Sequence, residues 1–385
     1  MTSLADLLGV STNAVSQYEN NLCKPRHEMV QEMAKKLKLK EAFFFQPVES
    51  ADQNPVFWRS RHAATKASRV VAQRKLAWIK TISDEYLKQY LDLPTLVVPT
   101  QKELGIPNDP KKLSDGKIEQ IAQRCRDFWG LGTMPIQDLT AVLENHGLLI
   151  TCGELDSDRL DAFSNVSERD RSFHIFLGTG RSAVRSRFDA AHELGHLILH
   201  SHLSREYLED TEKSKKHRLT EHQAFRFASA FLMPAESFGS DVWMTALDPL
   251  LSLKERWKVS VGAMIKRCDD LGMLDESHAR RLWITYNRRW RKQEPLDDSI
   301  AFETPQLMKR CFDLLIESKI KSKAEILHDL PFSQRDIETL MNLPESYLNE
   351  NFGEVRQLPT IKAKIAFGNN GKVIDFDARK SSQNL

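Results

Sequence analysis

The side chains best suited to chemistry lie in one pentapeptide, His192-Glu193-Leu194-Gly195-His196. On a helix, residues four apart lie one turn above each other, so both imidazoles face the same way and can bind one zinc ion. Glu193 is then placed to take a proton from a water molecule that the metal activates for attack on a peptide carbonyl. The spacing predicts that His192 and His196 are zinc ligands and that Glu193 is a catalytic base.

The segments around the pentapeptide favour this interpretation. H-E-x-x-H is a signature of zinc peptidases, and the alternative is a helix that happens to carry two histidines. Residues 148–151 read as a strand, and residues 173–178 read as a second strand that ends at a glycine. Residues 181–199 show a helical pattern with an apolar stripe. We therefore expect the motif to lie on a buried helix that follows a strand.

A catalytic zinc ion usually has three protein ligands, so a third ligand must be found. His202 has the spacing of the last histidine in a longer motif, but Leu199 stands where that motif has glycine. His200 would lie further round the helix, near its C-terminal dipole. Glu221 follows Thr220, a predicted N-cap, and opens a helix with a buried face where a lone carboxylate would be costly. We predict Glu221 as the third ligand; a charge favoured by the helix N-terminus is the alternative.

Two longer stretches resemble the ImmA/IrrE family of zinc metallo-endopeptidases. They are residues 188–200, around the pentapeptide, and residues 221–234, which read Glu-His-Gln-Ala-Phe-Arg-Phe-Ala-Ser-Ala-Phe-Leu-Met-Pro. That family pairs an H-E-x-x-H helix with a later helix of the form E-x-x-A-x-x-F-A-x-x-x-L-M-P. The resemblance implies the same three zinc ligands and the same base, although Phe225 stands where the family often has asparagine.

Residues 1–47 carry a second, independent pattern. A short helix from Leu4, a turn at Gly9 and a new helix over residues 12–19 are typical of two closely crossing helices. This portion resembles the Cro/C1-type (XRE) helix-turn-helix, and the resemblance implies DNA binding. That family has a further helix before the first one seen here, so we expect that helix to be missing; an ordinary helical hairpin is the alternative.

The second predicted helix of this pattern is polar at its start. Such side chains can meet phosphates or base edges in the major groove, and a helix-turn-helix protein commonly binds DNA as a homodimer. The predicted DNA-contacting residues are Ser11, Thr12, Asn13, Ser16 and Gln17.

Length and composition limit the kind of protein this is. The 385 residues suggest roughly two to four domains, and a formal net charge of only +2 does not by itself indicate a nucleic-acid binder. The five scattered cysteines form no C-x-x-C pair, which is typical of a reducing cytoplasm. No apolar run reaches the ~20 residues of a membrane span, and no signal peptide is recognised. We therefore expect a cytoplasmic protein with no membrane partner.

The chain divides into five predicted regions. The helix-turn-helix, a helical connector, a zinc peptidase domain, a helical subdomain and a C-terminal region of unknown role are expected in that order. Within the connector, residues from Phe57 to Leu91 read as one long helix or a helical pair. The expected fold class is mainly α with a small β-sheet, an α+β zincin-like peptidase domain, plus an N-terminal helix-turn-helix. The predicted ranges are 1–47, 57–114, 115–240, 241–298 and 299–385.

Together these features predict a cytoplasmic regulatory zinc metallo-endopeptidase fused to a DNA-binding domain. Its expected cofactor is Zn²⁺, and its expected partners are DNA and a protein substrate such as a transcriptional repressor. One alternative is a non-enzymatic DNA-binding regulator whose zinc site is structural or sensory. Another is a toxin–antitoxin partner that binds protein without cleaving it. His174, His200 and His202 are the candidates to stabilise the oxyanion of the reaction.

Overall fold

Helices dominate the fold, and one small sheet lies among them. The computed structural model describes residues 2–46, 56–60, 66–154, 160–167, 172–204, 215–290 and 292–349. Within these ranges the predicted fold class, mainly α with a small β-sheet, is confirmed. The predicted C-terminal region is described only as far as residue 349.

Three helices form the N-terminal part of the chain. The sequence predicts a glycine turn between the first two, and Gly9 has a φ of +70°, a conformation that glycine adopts without strain. The Ser11 side chain accepts a hydrogen bond from the Ala14 amide, so Ser11 is the N-cap of the second helix. Ala5 and Val15 are buried where the helices meet. The bounds are Thr2–Leu8 for α1, Thr12–Glu19 for α2 and His27–Leu37 for α3.

The segment predicted as one or two helices from Phe57 to Leu91 begins instead with a strand, β1, Val56–Ser60. That prediction was wrong for its first residues, because the strand is held by pairing with a distant part of the chain that no local pattern reveals. The helix α4 follows at Lys66–Lys80, continued by a π-helical stretch at Thr81–Tyr86.

The sheet has four strands in the order β1-β3-β4-β2. β2 (Leu148–Gly153) runs parallel to β4 (Ser172–Gly178), and both strands lie where the sequence predicts strands. β3 (Leu160–Ser167) is antiparallel both to β4 and to β1, so β1 forms one edge of the sheet. Helices cover the sheet on both faces.

Five helices pack on the face of the sheet that carries the predicted site. The last two of them carry the residues singled out above. The predicted capping box at Thr220 is wrong: the helix begins at Lys215, and the Thr220 hydroxyl donates to the His217 carbonyl within it. The bounds are Gln101–Leu104 for α5, Asp115–Phe128 for α6, Leu139–Asn145 for α7, Ala183–His200 for α8 and Lys215–Leu232 for α9.

The helices after residue 234 pack into two apolar cores. One core joins α6, α8 and α9 to the helices between residues 235 and 290. The other lies on the opposite face of the sheet, where α4 meets the helices between residues 307 and 340. The bounds are Ala235–Asp241 for α10, Leu247–Ser252 for α11, Lys254–Trp257 for α12, Val261–Asp270 for α13, Glu276–Trp290 for α14, Leu307–Glu317 for α15, Lys323–Asp329 for α16 and Gln334–Leu340 for α17.

Across the parts of the chain that the structure covers, no helix is both long and apolar enough to span a membrane.

Candidate metal centre

Three side chains of α8 and α9 converge on one point. The Nε2 atom of His196 lies 3.1 Å from Oε1 of Glu221, and the Nε2 atom of His192 lies 3.4 Å from Oε2 of the same carboxylate. One potential ligand atom from each of the three residues lies within 4.8 Å of the others. The one-turn spacing of the two histidines places their ring centroids 4.8 Å apart.

Two small residues allow the helices to approach closely enough for this arrangement. A Cβ atom added at Gly195 would lie 3.0 Å from the Ala224 carbonyl oxygen and 3.2 Å from its Cα atom. Ala224 is fully buried in this contact. The close crossing brings Glu221, near the start of α9, against the motif on α8.

The charge state of Glu221 suits a metal ligand. Burial by itself would raise the pKa of Glu221, but hydrogen bonds and charge interactions with His192 and His196 hold that pKa well below its usual value. About a quarter of this side chain is exposed, 27%, whereas His192 and His196 are almost completely buried. An ionised carboxylate and two imidazole nitrogens form a donor set that fits a catalytic zinc ion.

A chain of hydrogen bonds behind His196 fixes which of its nitrogens faces the centre. The Gln223 amide nitrogen donates to the Pro110 carbonyl at 2.7 Å, so its oxygen accepts from Nε2 of His200 at 3.1 Å. His200 then accepts through Nδ1 from Nδ1 of His196, also at 3.1 Å. The hydrogen bond through Nδ1 turns Nε2 of His196 toward Oε1 of Glu221, where it can serve as a ligand atom.

His200 contributes to this chain as a neutral ring. Burial, reinforced by the neighbouring His196, lowers the pKa of His200 to about 3. The ring is wholly buried behind His196. Its role is to orient His196, as partners of metal-binding histidines commonly do.

Glu193 lies next to the three converging residues and is held by the sheet. Its carboxylate is fully buried, and Oε2 accepts a hydrogen bond from the Ser164 hydroxyl of β3. Sequence reasoning did not identify Ser164, because nothing in its neighbourhood along the chain marks a contact with a residue 29 positions later. The hydrogen bond orients the predicted base.

One aromatic ring and one further imidazole border the centre. The Phe57 ring of β1 stacks on the His196 ring, with centroids 4.9 Å apart and planes at 16°. His217 lies one helical turn before Glu221, with its Nδ1 atom 4.0 Å from Oε1 of that residue. Its side chain is 37% exposed, so it can reach a bound molecule. Sequence reasoning missed both residues; the i, i+4 spacing to Glu221 could have indicated His217.

None of the three histidines predicted to stabilise an oxyanion presents its ring to a molecule bound at this centre. Nε2 of His174 lies 2.9 Å from Oδ2 of Asp84. Side chains alternate along a strand, and His174 pairs with Asn165 rather than Ser164, so it points to the opposite face of the sheet. His200 is enclosed behind His196, and His202 is not among the converging residues. The expectation for His174 was wrong.

The residues predicted to contact DNA lie on α2 or, for its N-cap, directly before it. Four of them are exposed, whereas Ser16 is half-buried and its carbonyl and hydroxyl oxygens accept from the Asn20 amide. The exposed side chains are available for contact with another molecule. The four are Ser11, Thr12, Asn13 and Gln17.

Comparisons with known proteins bear on the region of the metal centre. The peptidase M78 family model, described as the IrrE N-terminal-like domain, matches residues 143–269, a range that contains β2, β3, β4, α8 and α9. This match supports the resemblance to the ImmA/IrrE family over less than half of the chain. No curated protein matches the chain.

Among solved structures, a Mycobacterium tuberculosis transcriptional regulator is similar at 16% sequence identity. The alignment covers 43% of this chain and 48% of that chain, with a TM-score of 0.28. The chain thus spans about half the length of that regulator, and a likeness at this level does not establish a shared fold.

Proposed function

We propose that this protein is a regulatory zinc metallo-endopeptidase that cleaves a transcriptional regulator. The observation that carries the proposal is the convergence of His192, His196 and Glu221 beside the buried carboxylate of Glu193. A purely structural metal site has no need of a carboxylate held next to its ligands by a hydrogen bond such as that from Ser164. The match to a peptidase family over the same residues gives independent support.

The residues of the centre have separate roles in this proposal. His192, His196 and Glu221 hold a zinc ion, which when bound acts as a Lewis acid toward a peptide carbonyl and lowers the pKa of water. Glu193 accepts the proton of the attacking water molecule and passes it to the leaving amine. His217, whose partly exposed ring lies beside Glu221, donates a hydrogen bond to the carbonyl oxygen as negative charge develops there.

The N-terminal helices suggest where the protein acts. We assign DNA binding to α2, whose exposed polar residues include Asn13 and Gln17. A chain that binds DNA and cleaves a repressor would act near its operator, and a homodimer would match a two-fold operator. The five cysteines are all free, which fits a reducing cytoplasm.

The proposed peptidase activity is tested by measuring zinc content and peptide cleavage on the same proteins. The wild type should bind one zinc ion per chain and cleave members of a proteome-derived peptide library, read by mass spectrometry. Glu193→Gln should keep the zinc and lose the cleavage, because it removes only the base. Glu221→Gln should lose both, because it removes a charged ligand.

His222→Ala is the matched control for these variants. His222 follows Glu221 in the same helix, but its exposed ring pairs with Asp115 away from the centre, so zinc and cleavage should both persist. A folded wild type without zinc would refute the metal centre. Zinc retained without cleavage of any peptide or of a candidate repressor would favour the non-enzymatic regulator instead.

A further inference from the structure

The strand β1 reaches the metal centre from outside the region that resembles a peptidase. It spans only Val56–Ser60, and its sole partner among the described strands is β3. The family match begins at residue 143 and includes β3 but not β1. The peptidase-like part of the sheet therefore has its outer edge at β3, and a separate segment of the chain covers that edge.

The register of β1 places one of its side chains directly on the centre. Phe57 pairs with Ser164, the residue whose hydroxyl holds Glu193. Paired residues on neighbouring strands share a face, so Phe57 points toward α8 and its ring lies flat against His196. The ring is only 4% exposed. The ring thus covers one face of a predicted metal ligand.

An uncovered β3 edge would be suited to bind an extended peptide. A free edge presents a row of backbone N–H and C=O groups that a further strand can pair with. A peptide added antiparallel to β3 in the register of β1 would place one residue opposite Ser164. Its backbone would then pass beside Glu193 and His196, which is where a scissile bond must lie.

We propose that β1 is an autoinhibitory strand that fills the peptide-binding edge of this protein's own active site. The substrate is an extended segment that displaces β1 and places a large apolar side chain, preferably aromatic, against His196 where Phe57 lies. This inference rests on the proposed function, since it assigns the regulation and the substrate class of the same site. Release of β1 is the step that opens the site.

Competition between β1 and an added peptide tests the proposal on the full-length chain. The probe is a fluorescein-labelled peptide of residues 54–62, Asn-Pro-Val-Phe-Trp-Arg-Ser-Arg-His, followed by fluorescence anisotropy. All proteins carry Glu193→Gln so that the probe stays intact. With β1 in place the probe should bind weakly. Phe57→Ala removes the ring that anchors β1, so binding should tighten at least tenfold.

Two controls separate loss of the anchor from general loosening of the fold. Phe332→Ala removes an equally buried ring that packs on Phe43 and Trp78 in the other core, and it should leave probe binding unchanged. A probe with alanine in place of its phenylalanine should gain little from Phe57→Ala, because the vacated position beside His196 stays empty. Equal gains from Phe57→Ala and Phe332→Ala would overturn the proposal.

A reversible cross-link between β1 and β3 tests the same proposal without Phe57→Ala, in case that variant does not fold. Arg59 and Ala162 are directly paired across β1 and β3, so cysteines at both positions can form a disulfide that locks the strand. The oxidised protein should not bind the probe, and reduction should restore binding. Binding that survives oxidation would show that peptides do not use this edge.

The two hypotheses fail in different ways. Tight binding of the probe by a protein that holds no zinc and cleaves nothing would support the autoinhibitory strand and refute the peptidase. Zinc binding and cleavage that neither Phe57→Ala nor the cross-link changes would leave the peptidase standing and refute the autoinhibitory strand.

Discussion

Replacing Gln223 should weaken zinc binding although this residue does not reach the centre. Its amide oxygen accepts from Nε2 of His200, which obliges His200 to accept through Nδ1 from His196. In Gln223→Leu that acceptor is gone, and the buried His200 donor has no partner. His200 can recover a hydrogen bond only by moving its proton to Nδ1. His196 must then accept through Nδ1 and carry its own proton on Nε2, the atom that would bind zinc.

The expected loss of zinc affinity follows from this change of tautomer in His200 and His196. An unpaired buried donor costs about 1–3 kcal/mol, and this is the energy that drives the change of tautomer. Binding zinc then requires the ring to return to the unfavourable tautomer, so the same energy is lost from the binding free energy. Each 1.4 kcal/mol is a factor of ten, so zinc binding should weaken by about 5- to 140-fold, which spans the 10- to 100-fold loss usual for such partners.

Zinc competition against a fluorescent chelator measures this loss directly. Gln223→Glu is the discriminating variant: its carboxylate still accepts from His200, so zinc affinity should lie closer to that of the wild type than to that of Gln223→Leu. Gln123→Leu, on α6, removes an exposed amide that donates to Asp127, and it should have no effect. Wild-type affinity in Gln223→Leu, or weaker binding in Gln223→Glu than in Gln223→Leu, would refute the tautomer argument.

Three further changes test other parts of the structure. His217→Ala should lower kcat about 100-fold with zinc content unchanged, because it removes one donor to the developing oxyanion. Asp84→Asn should lower the free energy of unfolding by about 3 kcal/mol in chemical denaturation, because it breaks the buried pair with His174. Burial opposes ionisation of Asp84, but His174 and a neighbouring lysine hold its pKa well below the usual value. This contribution is therefore present above the unfolded pKa near 3.9 and is lost as pH falls below it. Asn13→Ala should weaken specific DNA binding by ~1–3 kcal/mol in a gel-shift titration.

Each of these changes has an outcome that would count against it. Zinc loss in His217→Ala, with His222→Ala unaffected, would make His217 part of the metal site rather than a substrate contact. The same loss of stability below pH 4 in wild type and Asp84→Asn would assign the acid sensitivity to other groups. For the DNA-binding measurement, the control is Gln31→Ala, on the exposed side of α3. Equal losses of DNA affinity in Asn13→Ala and Gln31→Ala would refute the proposal that α2 reads bases.

Sequence reasoning succeeded wherever a local repeat carries the information. The helix of His192 and His196 and the strands β2 and β4 were predicted because burial imposes a period on consecutive residues. Sequence reasoning failed at Thr220, because the residues that resemble a capping box lie inside a helix whose bounds begin at Lys215. It also failed at Phe57, where an apolar aromatic segment is compatible with a helix or a strand until its partner is known.

That two imidazoles and a carboxylate share one helix follows from the amino-acid sequence alone, because four residues span about one turn of an α-helix. The sequence also indicated Glu221, through its place in a second helix with small residues. The packing of the elements was needed to show that Ser164 holds Glu193 and that Gln223 and His200 orient His196. It was also needed to show that the Phe57 ring covers His196. These contacts join residues far apart along the chain. Their distances depend on how helices and strands pack together, and no periodicity within a single element encodes that packing.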